Sequence, residues 1–455
     1  MSPVVEMTGK DAYLAHFEQL AKRLAGNDPR WLRELRSAAI ARFADLDFPT
    51  TRHEDWKYTN VAPLTKIMFH PADGAGQAAP LAGDRFPIPF GAAGFDRWVF
   101  VDGRFSPKDS QSASGFKPGG VKVASLRQVL ESDPDRIEEH VGRCADYRQH
   151  AFTALNTAFL EDGAFIDLSE SAVVKKPIHL VFVSTGRGEP TVTHPRNLIV
   201  AGPGSSATII EHYIGGSESP PGSYFTNAVT EVIAGEGASI AHYRLQQESE
   251  AAYHIGSVHV RQDRDSRFGS HSLAWGARLA RIEIRAVLDA VGADCALYGL
   301  YLTHGRQHID HHTVIDHAKP HGTSNELYKG ILDGSSRGVF SGRIIVRENA
   351  QKTDAHQTNR NLLLSDQALA DTRPQLEIRN NDVKCTHGAA IGRLDEEMIF
   401  YLRSRGIDLD AARSILTHAF ATEVLESIRV DEIRNGFEEL LAGWLSGSRN
   451  GGATR

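Results

Sequence analysis

The sequence predicts a mainly β chain with helices at both ends. Apolar residues recur at helical spacing near the start and again after Arg393. Between about Phe165 and Ile391 the pattern changes to short β-branched runs broken by Gly, Asp, Asn and Ser.

Leu14, Phe17, Ala21 and Leu24 make a first helical stripe, and Trp31, Leu32, Leu35, Ile40 and Phe43 a second after Asp28-Pro29. Pro, Gly and Ala dominate from about His70 to Gly94, which reads as a linker. A further helix is expected around Leu126 to His140. The β runs then follow closely: HLVFVS, RNLIVAG, ATIIEHYI, TEVIAG, SIAHYRLQ, SVHVRQ, IEIRAVLDA, GVFSGRIIV and PQLEIRN. Several are preceded by Gly or Asp with small residues, as in Gly204-Ser205-Ser206-Ala207-Thr208-Ile209, Gly235-Glu236-Gly237-Ala238-Ser239-Ile240 and Gly292-Ala293-Asp294-Cys295-Ala296-Leu297. A unit of roughly 20–30 residues is what stacked coils of a β-solenoid produce. A β-sandwich or double barrel uses the same short alternating strands, so periodicity alone leaves both open. After Arg393, Met398, Ile399 and Leu402 form one apolar face and Ile415, Leu416, Phe420, Val424, Leu425 and Ile428 another, with Gly406 as the break. The expected division is a largely helical part with a linker (1–150), a β body (151–392), a C-terminal helical part (393–445) and a disordered tail (446–455).

Composition narrows the function. The chain has 455 residues, 41% hydrophobic and 24% charged, which is ordinary for a globular protein. A net charge of -7 argues against a general binder of nucleic acid or anionic membrane. The start, MSPVVEMTGKDAYLAHFEQL, lacks a basic and apolar leader pattern, and no later stretch approaches the ~20 apolar residues that span a bilayer. A cytoplasmic location is the expectation. Three cysteines, Cys144, Cys295 and Cys385, lie far apart. A stable iron–sulfur cluster usually takes about four thiolates, so this chain alone cannot hold one by cysteine.

Two constellations carry candidate chemistry. In HIDHHTVIDHAKPH a strand would put His308, Asp310 and His312 on one face and Ile309, His311, Thr313 and Ile315 on the other. Two imidazoles and a carboxylate suit a metal, and a stand-alone metal-dependent β-helix enzyme is the alternative function. His317 and His321 complete the stretch, and structural histidines bonded within a β ladder are the plainer reading, since no fourth ligand is visible nearby. In Lys384-Cys385-Thr386-His387-Gly388 the thiol and imidazole share a face with Cα atoms ~6.6 Å apart. Both ligate iron or zinc, but two ligands make half a site. A buried cysteine beside a hydrogen-bonded histidine is the plainer reading. No GxxxxGK[ST] loop, GxSxG elbow or HExxH helix occurs, which removes support for the common ATPase, hydrolase and zincin classes.

The run KGILDGSSRGVFSGRIIVRENAQKTDAHQTNRNLLLSDQALADTRPQLEIRNNDVKCTHGAAIGRLDEEMIFYLRSRGI, Lys329 to Ile407, closely resembles the SufB/SufD family of the SUF iron–sulfur cluster assembly system. The resemblance extends upstream through HIDHHTVIDHAKPHGTSNE and downstream into AARSILTHAFATEVLESI. TRHEDWKYTNV at Thr51 to Val61, and KCTHG where the SufB branch carries a His-Glu-Ala motif, are more similar to the SufD branch. The resemblance implies a right-handed parallel β-helix core flanked by helical N- and C-terminal domains. It also implies a non-ATPase scaffold subunit of a SufBCD complex, not an enzyme, pairing with SufB through the β-helix and with the SufC ATPase through its C-terminal helices. Carried over by position, Cys385 and His387 lie at the cluster-assembly interface as metal ligands shared with SufB, and Met398, Phe400, Tyr401, Arg405 and Phe420 lie in the SufC-docking region. No cofactor would be held stably by the isolated chain, and the cluster would be transient in the complex. Edge strands of a β-helix invite pairing, so a homodimer is expected when SufB is absent.

Overall fold

The computed structural model describes residues 9–447 except 27, 73–93, 112–114, 118–119, 187 and 216–221. Most of the linker read between His70 and Gly94, and the tail from residue 448, lie outside the described residues. The two N-terminal stripes form helices Gly9–Leu24 and Arg30–Leu46, the second starting after Pro29. The expected helix Leu126 to His140 is two helices, Leu126–Ser132 and Pro134–Glu138. Ser125 and Gln128 form a capping box at its start. Pro134 lacks the amide needed to continue the first helix and keeps Asp133 out of helical geometry, at φ -153 and ψ 66.

The β body is a solenoid, which settles the choice left by periodicity. Among the described residues, consecutive strands from Arg196–Ala201 onward alternate between a 12-stranded and a 10-stranded sheet, and neighbours within each sheet are parallel along the body. Leu279, His308 and Arg337 are direct partners in successive strands, so one coil there takes 29 residues. The recurring Gly and Asp lead-ins are the corners. Ser171, Gly204, Gly237, Asp265, Gly292, His321 and Lys352 all adopt left-handed φ between 52° and 76°. The amide of each bonds to a carbonyl one coil further on, as in Gly237 to Arg264 and His321 to Gln351. Only glycine takes this conformation without steric cost. Four non-glycine residues in the column therefore mark a corner imposed by its neighbours.

Between the sheets, Ile199, Val232, Val258, Ile284, Ile315 and Phe340 face Leu180, Ile209, Ile240, Phe268, Cys295 and Leu297 in one core. Helices cover the outer faces. Phe43, Phe152 and Leu155 pack with Phe225, Tyr253 and Leu279 on the first sheet. Val424, Ile433, Phe437 and Leu441 pack with Tyr243, Leu273 and Leu300 on the second. Coverage on both faces explains why most strands are buried along their whole length.

A buried ion pair fastens the N-terminal layer to the solenoid. Arg196 Nη2 lies 2.6 Å from Glu231 Oε1, and both side chains are fully buried. Glu231 also accepts the amides of Gly142, Cys144 and Ala145 at 2.8, 3.0 and 3.0 Å.

Candidate functional site

The last coil consists of strands Leu369–Ile378 and Lys384–Gly392, one at the edge of each sheet. Among the described residues no strand covers either outer edge. Pairing register fixes where its side chains point. Cys385 continues the column Phe268, Cys295, Ser324, Ala355, and His387 continues Ser270, Leu297, Glu326, Gln357. These columns line the interior of the solenoid, so the thiol and imidazole sit together at its open mouth.

Cys385 rests against Ile344, Val346, Ala350 and Ala355 and is half-buried, whereas His387 is exposed. Burial pushes the Cys385 thiol up, and the Asp354 carboxylate acts in the same direction. Both effects favour the neutral thiol over the metal-binding thiolate. Leu369, Ile378 and Ile391 on the same coil are 50%, 43% and 46% exposed. Apolar groups and open backbone edges together are the composition of an interface.

One layer beneath His387, Gln357 donates to Glu326, which is buried among Thr313 and Leu297. Burial raises the Glu326 carboxyl from 4.5 to about 7. A raised folded-state value means stability is fully present below about pH 4.5 and is lost as pH rises through about 7. Glu326→Gln removes this dependence. We expect the variant to gain on the order of 3 kcal/mol over wild type between pH 4.5 and pH 8, read from urea midpoints. Parallel pH profiles would refute the assignment.

The C-terminal helix Glu396–Ser404 is capped by Asp395, whose Oδ1 accepts the Glu397 amide at 2.8 Å. Only Ile399 of this helix is buried. Met398, Phe400 and Tyr401 are 55%, 74% and 55% exposed, and the Arg405 guanidinium lies 4.3 Å over the Tyr401 ring. Phe420 belongs to helix Leu409–Leu425 and faces the solenoid. Its ring lies 4.9 Å from Lys329 Nζ, and its carbonyl accepts that ammonium at 2.8 Å. It anchors the helical region, while Met398, Phe400 and Tyr401 remain available to another molecule.

Residues 182–420 match the family described as SUF system FeS cluster assembly, SufBD core domain, and residues 7–180 match the SufBD protein N-terminal region. The chain belongs to the SufBD family. It is similar to an iron–sulfur cluster assembly SufBD family protein of Synechocystis, 32% identical over 424 residues and 92% of each chain. It is also 32% identical to the iron–sulfur cluster assembly protein SufD of Escherichia coli over 390 residues, 85% of this chain and 86% of that one. Against SufD of Bacillus subtilis the identity is 25% over 421 residues, 90% and 92% of the two chains.

In this SufBD-family chain the histidine-rich stretch forms strand His308–His317 with the alternation expected from its spacing. His308 and Asp310 face outward and His311 inward, where its ring lies 5.0 Å from Tyr301 and 5.2 Å from Tyr328. Asp310 binds the buried Arg281 guanidinium and accepts the Thr59 hydroxyl at 2.6 Å. A fixed arginine already supplies the cation that a metal would have supplied. Burial, then the Arg281 charge, pushes His312 down to about 4. Among the described residues no group of three or more His, Cys, Asp or Glu side chains is placed to hold a metal. The sequence did not reveal Thr59 or Arg281 as partners of this strand, because they arrive from a distant segment and a neighbouring coil.

Proposed function

We propose that this SufBD-family chain is a SufD-type scaffold subunit without ATPase activity of its own. It pairs through its terminal coil with a SufB partner and through the Glu396–Ser404 region with the SufC ATPase. The carrying observation is the open mouth of the solenoid. It presents Cys385 and His387, half of a metal site, inside a rim with exposed Leu369, Ile378 and Ile391. Ligands from the facing subunit would complete the site, and the nascent iron–sulfur cluster is cargo. A second copy of the chain would cover the same rim when SufB is absent. Among the described residues no helix is long and apolar enough to cross a membrane.

A charge placed on the rim should prevent pairing. Ile378→Glu with Ile391→Glu is expected to lower SufB recovery in co-purification by at least about tenfold while retaining SufC, since buried unpaired charges cost several kcal/mol. Met398→Asp with Phe400→Asp should show the converse. Loss of both partners in either variant, or of neither, would overturn the assignment of the two surfaces.

A further inference from the structure

The segment Thr51 to Val61 makes its contacts on the outer face of the 12-stranded sheet, from the rung Leu279–Leu288 to the edge strand Leu369–Ile378 at the mouth of the solenoid. A single turn of 3-10 helix, Glu54–Trp56, reaches several rungs there. The rungs concerned are the consecutive strands Leu279–Leu288, His308–His317, Arg337–Val346 and Leu369–Ile378. The Trp56 ring lies 4.1 Å from the Arg281 guanidinium on the first. Thr59, fully buried, donates to Asp310 at 2.6 Å and lies 2.9 Å from His308 Nε2 on the second. Asp55 bridges Arg285 on the first rung, at 3.7 Å, and Arg343 on the third, at 3.1 Å. Glu54 binds Arg373 on the fourth, and Arg373 Nη1 also donates to the Glu54 carbonyl at 3.4 Å.

The fourth rung is the one most in need of such a hold. Among the described residues it pairs with a strand on one side only: the Leu369 and Arg379 amides donate to the third rung, and the alternation turns Pro374 to the open side. Arg337 ties it to the third rung through Asp371 at 2.7 Å. Isolated pairs of this exposure contribute about 0–1 kcal/mol. Here the ion pairs converge on one turn already anchored by half-buried Trp56 against buried Arg281 and by the buried Thr59–Asp310 hydrogen bond, so displacing the edge strand means working against a fixed body.

We propose that the Glu54–Thr59 segment is a strap that holds the edge strand Leu369–Ile378 in register, making Glu54, Asp55 and Trp56 positioning residues for the partner-binding rim. The link to the rim rests on the pairing described above; the strap itself does not. Hydrogen exchange of the full chain alone tests it in wild type, Glu54→Gln/Asp55→Asn, Arg373→Glu, and the exchanged pair Glu54→Arg/Arg373→Glu. Amides of residues 369–378 should exchange about tenfold faster in the first two variants, with those of 253–262 unchanged, and should largely recover in the exchanged pair. Unchanged exchange at 369–378, or an equal rise in both regions, would overturn the strap. SufB affinity, measured on the same samples, should fall several-fold and recover in parallel. Faster exchange with unaltered SufB affinity would remove the positioning role. If wild type itself fails to bind SufB, the pairing is wrong, and the exchange result still decides the strap.

Discussion

His387→Ala, co-expressed with SufB and SufC, should leave a complex of normal composition that carries little iron and sulfide. The side chain is exposed on an edge strand, so its loss should barely change the stability of the chain. A ligand at a shared site is another matter. Losing one donor should reduce bound iron at least about tenfold, since even outer groups supporting a metal ligand cost about 10–100-fold when removed. Cys385→Ser should act in the same direction, because a hydroxyl replaces a thiol that must ionise to bind iron. Iron and acid-labile sulfide in the co-purified complex are the readout. Wild-type content in both variants would remove these residues from the site and leave the chain an architectural partner.

The second large effect concerns stability. Glu231→Ala leaves Arg196 as a buried charge without its carboxylate and orphans the amides of Gly142, Cys144 and Ala145. Breaking one side of a buried pair costs about 3–5 kcal/mol. The loop that carries Cys144 should loosen with it. At present burial, followed by the Glu231 charge, pushes the Cys144 thiol up to about 12. We expect a lower urea midpoint and faster labelling of Cys144 by a thiol reagent. Replacing both partners, Arg196→Met with Glu231→Leu, should cost less than Glu231→Ala alone. A larger loss in the double variant would show that the pair is net stabilising in its own right.

Much of the fold was legible because local patterns report local structure. The stripes of Leu14 and Phe17, and the break at Gly406, located helices, and the Gly and Asp lead-ins proved to be stacked corners. The architecture was not legible from periodicity, since helices on both outer faces bury residues that would otherwise have alternated. The family resemblance supplied what the pattern lacked. At the candidate site, spacing gave the shared face of Cys385 and His387. It could not show that this face opens at the end of the stack, because that depends on which coil comes last. Nor could it show that Asp310 is already neutralised by Arg281, a contact set by pairing between coils.

The two ends of the solenoid differ. Beyond its first coils the parallel stacking gives way to antiparallel pairing, with Arg104–Phe105 against the strand Asp96–Val101 and Val121–Ser125 against Ala164–Leu168. Beyond its last coil the stacking stops at an open rung. A molecule with two open rungs could add copies head to tail into a filament. Among the described residues the other end finishes in the short strands Arg104–Phe105 and Gly115–Lys117, so on the proposed pairing the long open rung takes the first partner to arrive and growth terminates at two. On the proposed pairing, SufB and a second copy of this chain would be rivals for one position, and their relative concentrations would set how much of the protein is in its working assembly.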